Sequence, residues 1–414
     1  MGSIITLRLG NLEIDWAKNW RGTDHSELFQ SGDLANVPYH YVDDDGELVS
    51  ELKEAYAKPL REVVARVELL GFTLDTARHH FMEHMALVDV PKEDSEIIFE
   101  ILVEALRSVD VGSVSDVYDE DHDLGRFFER EIFERLKLKA IAATRDVEWY
   151  PQMLSEAFEA LDPNVILRLL ALNRKNLDLQ VAWCFADLLE GGWTAREDLA
   201  RALPRSNRFL IVTEGSSDAK ILAHALKLLR PAIADFFYFV DMEEGYPFTG
   251  TGNVLNFTRG LSKIGILNNV LVVYDNDAEG TARHKDTLAL PLPHNIRTIR
   301  LPDLARLRTF QTVGPSGTRK SNINGKAASI ECYLDLRWNS KQEPIVQWTS
   351  YNRGLGRYQG ELIQKENYTK RFLRLRVADP GYDFSGLNAV LESIVAECIS
   401  IASAQRAGEP IPRV

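Results

Sequence analysis

Carboxylates stand at the ends of two apolar runs in this chain. Phe209-Leu-Ile-Val212 leads into Glu214, Gly215 and Asp218, and Val270-Leu-Val-Val-Tyr274 leads into Asp275, Asn276 and Asp277. Glu214, Asp275 and Asp277 brought to one crevice repel one another unless a cation lies between them. Hard oxygen donors favour Mg2+ or Mn2+ over zinc. The chemistry this suits is metal-assisted phosphate chemistry, with the carboxylates acting as ligands rather than as proton shuttles.

A sheet must position these acids. A short apolar run bounded by turn residues reads as a strand buried in a parallel sheet, and ligands in open α/β sheets bind beyond the carboxyl ends of the strands. Glu214-Gly-Ser-Ser-Asp218 reads as a strand-to-helix turn, with Gly215 permitting a tight backbone and the first helical amides facing outward. Asp218, one turn beyond Glu214, is either a further metal ligand or an acid that complements the helix dipole. Gly250-Thr-Gly-Asn253 reads as a second turn feeding a helix, and Asp241, Glu243 and Glu244 follow a middle strand.

The order Glu-Gly, then about sixty residues later Asp-x-Asp, resembles the Toprim domain shared by topoisomerases, bacterial primases and a branch of nucleases. Glu214-Gly215 and Asp275-Asn276-Asp277 carry that resemblance. It implies a Rossmann-like α/β fold, a mainly parallel sheet flanked by helices, with Mg2+ or Mn2+ held by Glu214, Asp275 and Asp277. Asp218 matches the acidic position of the Glu-Gly-x-x-Asp pattern in the nuclease branch, where it helps hold a second metal. Thr312 to Gly317 and Asn322 to Leu334 resemble the family's segment downstream of the acidic strand, which makes Glu331 a candidate ligand. Tyr358 to Lys365 and Tyr368 to Lys370 resemble a late lysine region. There Lys365, ahead of Lys370, is expected to neutralise charge developing on the phosphate.

The opening of the chain reads differently. Ser3 to Leu9 alternates, Gly10-Asn11 turns and Leu12 to Trp16 continues, a hairpin signal. Pro38 to Val42 and Glu47 to Val49 flank an Asp-Asp-Asp-Gly turn at 43–46. From Ser50 to about Leu70 the spacing becomes helical and stops at Gly71, and Thr73 can cap a helix through Met85. Gly2-Ser3, Asn11 to Trp16, Asp24 to Phe29 and Tyr39 to Tyr41 resemble the N-terminal domain found ahead of HEPN or Toprim domains in bacterial proteins. From Pro91 to Arg205 the chain reads as helices, with Asp162-Pro163 starting one and Gly191-Gly192 ending another. The expected layout is an α+β domain over 1–90, a helical linker or dimerisation region over 91–205, the α/β domain over 206–345, and a basic and aromatic extension over 346–414.

The chain has 414 residues, 45% of them hydrophobic, and a net charge of −13. That charge argues against a non-specific nucleic-acid coat protein. No run is read as membrane-spanning or as a signal peptide. Cys184, Cys332 and Cys398 lack zinc spacing and suit a reduced, cytoplasmic protein. Charge is nevertheless uneven. Over 297–326 seven basic residues face one acid, and over 351–376 seven face two, interleaved with Tyr351, Tyr358, Tyr368 and Phe372. Basic residues mixed with aromatics suit a phosphate backbone and stacked bases.

These readings converge on a metal-dependent nuclease acting on DNA or RNA. The resemblance implies an anti-phage role; a homodimer and a regulatory or sensor partner are further expectations. Topoisomerase and primase readings lack, respectively, a strand-passage region and a zinc-binding cysteine set. Two alternatives stay open. One is a metal-independent ribonuclease using Arg78 and His84, whose spacing is comparable to the Arg and His of HEPN enzymes. The other is a non-catalytic Toprim scaffold that senses a nucleotide or nucleic acid.

Overall fold

The computed structural model describes residues 4–18, 20, 22–42, 48–87, 89–115, 122–134, 156–199, 203–204, 207–240, 251–340, 342–353 and 355–408. Gly2-Ser3, the turn at 43–46, Asp241, Glu243, Glu244 and Gly250 therefore lie outside the described residues. The chain forms two compact units, one of 1–204 with 403–414 and one of 205–402.

The first unit is built on a five-stranded antiparallel sheet of order β2-β1-β5-β4-β3. Its strands are β1 (Ile4–Leu9), β2 (Leu12–Lys18), β3 (Leu34–Val42), β4 (Leu48–Pro59) and β5 (Gln180–Cys184). The Gly10-Asn11 hairpin forms as its sequence predicts: Leu9 pairs with Leu12 and Gly10 takes φ +57°. Ser50 to Pro59 is strand rather than helix. Nine residue pairs tie β3 to β4, and five tie β4 to β5. Sheet pairing thus overrides local apolar spacing. The helix begins only after Pro59, as α1 (Leu60–Leu69), and Gly71 ends it at φ +92°. Thr73 and Thr76 cap α2 (Leu74–Leu87) reciprocally.

The central strand β5 lies inside the stretch read from sequence as helical, so the residues after 90 complete the same sheet. Around it come α3 (Lys92–Leu106), α4 (Leu124–Phe128), α5 (Pro163–Leu170), α6 (Ala186–Glu190) and α7 (Arg196–Leu199). Asp162 caps α5 through the Asn164 amide at 2.8 Å, with Pro163 in the first turn. The fully buried Arg66 donates to the carbonyl oxygens of Glu27 and Phe29. His25 meets Asp15 at 2.8 Å. The Asp24–Phe29 segment is thereby pinned to the helix layer.

The second unit holds a four-stranded parallel sheet of order β10-β8-β6-β7. Its strands are β6 (Phe209–Val212), β7 (Phe237–Val240), β8 (Val270–Tyr274) and β10 (Ile296–Arg300). Helices α8 (Ser216–Leu229), α9 (Thr251–Lys263) and α10 (Ala278–Leu288) connect them. All five residues of β8 are buried. Each such side chain contributes about 1.5–3 kcal/mol. A strand covered on both faces has no reason to alternate, which is why it reads as an unbroken apolar run.

A second four-stranded sheet, of order β12-β11-β14-β15, follows in the same unit. It comprises β11 (Phe310–Gly314), β12 (Gly317–Ser321), β14 (Val346–Asn352) and β15 (Arg357–Leu362). The short strands β9 (Asn276–Asp277) and β13 (Ala327–Ala328) pair antiparallel. Two further helices follow, α11 (Lys365–Phe372) and α12 (Ser385–Arg406), the latter belonging to this unit as far as Ala402.

Helix α12 is long and apolar enough to cross a membrane by length and composition, although no such run was expected from the sequence. Its Leu387, Val390, Leu391, Ile394, Cys398 and Ile401 are buried at helical spacing, the pattern of a core-facing stripe.

Candidate functional site

Strand order sets the site. From β6 the chain goes to β7 on one side and then returns to β8 on the other. The carboxyl ends of β6 and β8 therefore flank the point where the sheet reverses direction, where α/β sheets open a crevice. Glu214 follows β6 and Asp275 follows β8. The Asp275 amide donates to Glu214 Oε1 at 3.0 Å, so the two strand ends are joined directly.

The first turn of α10 closes on this junction. Asp277 caps it, accepting from the Gly280 amide at 2.7 Å. A Cβ on Gly280 would come 2.4 Å from the Asp275 carbonyl oxygen and 2.8 Å from Glu214 Oε1. Glycine here allows the backbone to approach the acids. The other oxygen of Asp277 accepts from Gln359 Nε2 at 2.5 Å, which fastens β15 to the acidic strand.

Asp218 lies in the first turn of α8 and accepts from the Gly215 amide at 3.1 Å. It is buried as well. Glu331 is buried in a 3-10 turn, Ile330–Tyr333, and accepts from Ser329 Oγ at 2.7 Å. The Ile330 amide of that turn donates to Asp275 Oδ1 at 3.0 Å, bringing Glu331 to the same place.

The electrostatics are those of crowded anions. Burial, then Asp277 and Asp218, push the Glu214 carboxyl up to about 8. Burial, then Glu331, push Asp218 up to about 7. Asp275 is driven well above the carboxylate range by burial, then by Asp218, Glu214, Asp277 and Glu331. Asp277 is raised by burial, against the opposing hydrogen bonds from Gly280 and Gln359. Desolvation and like charge both disfavour the ionised state. Lys365 begins α11 and pairs with Glu361 at 2.8 Å. That hydrogen bond raises its pKa, as do Glu331 and Asp275, whose field it shares. Lys370 is exposed near the other end of the same helix.

Glu214, Asp218, Asp275, Asp277, Glu331 and Lys365 thus share one electrostatic neighbourhood. Among the described residues, no three Asp, Glu, His or Cys side chains already converge as a metal cage. The donor set is nonetheless all hard oxygen, and a divalent cation relieves the repulsion that raises these pKa values. Sharing an ion requires side-chain rotation, with Asp277 the most firmly held by protein donors.

Two site residues carried no sequence signal. Gln359 looks like any polar strand residue. Asn276, between the two aspartates, is fully buried; it donates to Asp303 Oδ1 at 2.9 Å and accepts from the Gly325 amide at 2.7 Å. Asn276 holds the acidic loop in shape.

Arg78 and His84 are not brought together in this way. Six residues on one helix set two side chains about 120° apart. Arg78 pairs with Glu100 and lies over the Phe99 ring. Burial lowers the pKa of His84.

Fold and site define a mixed α/β protein with a parallel sheet and a cluster of largely buried acids at its switch point. The HEPN/Toprim N-terminal domain 1 family matches residues 1–207, half of the chain, and the chain belongs to that family. Comparison with curated proteins and with solved structures found no match.

Proposed function

We propose that this protein is a divalent-metal-dependent nuclease whose second unit is a Toprim domain, and that it hydrolyses phosphodiester bonds in DNA or RNA. The observation that carries the reading is the linkage of Glu214 and Asp275 at the sheet switch point, with three further acids in the same field. Membership of a family named for HEPN and Toprim proteins supports a nuclease-related role.

Glu214 and Asp275 are the first candidates to hold Mg2+ or Mn2+, with Asp277, Asp218 and Glu331 around them. When bound, such an ion stabilises charge on the phosphate and makes a water more acidic. The carboxylates orient and neutralise; Gln359 and the Gly280 amide fix Asp277. Lys365 offers positive charge beside the anionic phosphate. The basic segments over 297–326 and 351–376 would hold the polynucleotide backbone. In this reading the N-terminal unit senses a trigger or partner, in a cytoplasmic, dimeric protein serving anti-phage defence.

The test is incubation of plasmid DNA, total RNA and transfer RNA with the purified protein in Mg2+, Mn2+ or chelator, beside the Asp275→Ala/Asp277→Ala double variant. Cutting that needs metal and disappears in the variant is expected. Cutting that survives both chelator and variant would overturn the reading and return attention to Arg78 and His84.

A further inference from the structure

We propose that Gly325 and the β14–β15 hairpin form a path for a single-stranded polynucleotide, with Arg300 and Arg357 clamping a phosphate and Tyr358 and Tyr351 stacking bases. This rests on the nuclease reading for the catalytic fate of the strand, but not for its binding.

Two guanidinium groups meet at one glycine. Arg300 Nη1 and Arg357 Nη1 lie 3.3 Å and 3.5 Å from where a Cβ on Gly325 would sit. Gly325 is held at φ +70°, a conformation that favours glycine, and its amide is anchored by Asn276. The backbone of the adjacent Lys326 pairs with that of Asp277 in an isolated β-bridge, so Gly325 lies beside the acidic strand although far from it in sequence. Arg300 also meets Asp303 at 3.1 Å and Thr281 Oγ1 at 3.3 Å, contacts that fix its plane. Among the described residues, Arg357 has no carboxylate within ion-pair distance. Two neighbouring guanidiniums repel, and an anion with several oxygens, such as a phosphodiester, removes that cost.

The aromatic part lies at the same end of the hairpin. Tyr358 follows Arg357 in β15, where successive side chains leave the strand on opposite faces, and it stands directly opposite Tyr351 across the strands. A polynucleotide would therefore pass round the end of the hairpin between the arginine clamp and the rings. The rings are 4.9 Å apart and edge-on, and both stay about half exposed, at 51% for Tyr351 and 47% for Tyr358. Trp348, 6.1 Å from Tyr358, packs beside Gly314 and Gly360 and supports the row from behind. Large aromatics left in water at a basic hairpin suit an unpaired base. The bases of a duplex are already stacked on one another and present no face to these rings. The rest of the sheet agrees in charge: its strands carry Arg319, Lys320 and Arg357 against one acid, Glu361, which is paired with Lys365.

The test is fluorescence anisotropy with the full chain in chelator, using labelled oligo-dT, oligo-U and a matched DNA duplex across a salt series. Wild type should bind both single strands more tightly than the duplex. Tyr351→Ala/Tyr358→Ala should weaken single-strand binding by about tenfold or more, and the Tyr→Phe pair should keep it. Arg357→Ala should weaken all strands and flatten the salt slope by about one. Arg337→Ala, whose side chain pairs with Glu343, is the control. Equal affinity for duplex and single strand, or tyrosine variants that bind like wild type, would overturn the path even if cleavage is found. Tyrosine-dependent binding without cleavage under any metal would keep the path and sink the nuclease reading. Different affinities for oligo-dT and oligo-U would tell DNA from RNA.

Discussion

Glu214 accepts a hydrogen bond from the backbone amide of Asp275 at 3.0 Å, although 61 residues separate them. The acid ending one strand is thus oriented by the backbone of the acid ending the next. The parallel sheet beneath sets the spacing of the two strand ends.

The raised carboxyls make stability depend on pH. A carboxyl whose folded pKa is raised holds a proton that the unfolded chain releases. Its stabilising contribution is complete below the ordinary carboxylate values and lost as pH rises through the folded pKa, about 7 for Asp218 and about 8 for Glu214. In chelator the melting temperature should fall between pH 5 and 9, each such carboxyl contributing a slope of up to about 1.4 kcal/mol per pH unit. Glu214→Gln should flatten that dependence, and Mg2+ or Mn2+ should restore wild-type stability most at high pH. Differential scanning in both conditions reads this; an unchanged pH profile in Glu214→Gln contradicts it.

Gly280→Ala should cost about 1–3 kcal/mol by overpacking. Its Cβ would press on the Asp275 carbonyl and on Glu214. Gly260→Ala, with open space around its Cβ within α9, should be neutral or slightly stabilising. Urea denaturation of the two variants compares them, and equal midpoints would contradict the close approach.

Gln359→Ala should leave the protein folded but weaken metal affinity or cleavage by about 10–100-fold, as for other residues that orient a ligand. It frees one oxygen of Asp277 while the Gly280 amide still holds the other. Titration calorimetry with Mn2+ measures the affinity. Wild-type affinity together with wild-type cleavage would assign Gln359 a purely structural part.

Asn276→Ala should destabilise by about 0.5–1.5 kcal/mol for each hydrogen bond that its fully buried side chain loses. The Gly325 amide loses its side-chain acceptor but keeps the Asn276 carbonyl, and Asp303 and Tyr333 lose a donor. Thermal melts give the cost. The same variant should weaken oligonucleotide binding, because Gly325 is the floor between the two arginines.

Much of this site was legible because fully buried strands leave unbroken apolar runs, as at Phe209–Val212 and Val270–Tyr274. Glycines with fixed duties, at Gly10 and Gly71, were legible too. The strand β5 was not: Gln180–Cys184 pairs with residues more than a hundred positions earlier, and no local pattern records a partner that distant. Residues 50–59 read as helix because Leu52, Ala55, Tyr56 and Pro59 fall at helical spacing, while sheet pairing decided otherwise. Asp277 was found by type, but its ties to Gln359 and Gly280 belong to packing.

The most direct measurement is the initial rate of Mn2+-dependent cleavage by Glu214→Gln beside wild type, with circular dichroism confirming that both are folded. Loss of a charge that acts on the reacting phosphate should slow cleavage by about 100-fold or more. A folded Glu214→Gln protein cutting at the wild-type rate would contradict the account, because the acid joined to Asp275 would then have no part in the chemistry.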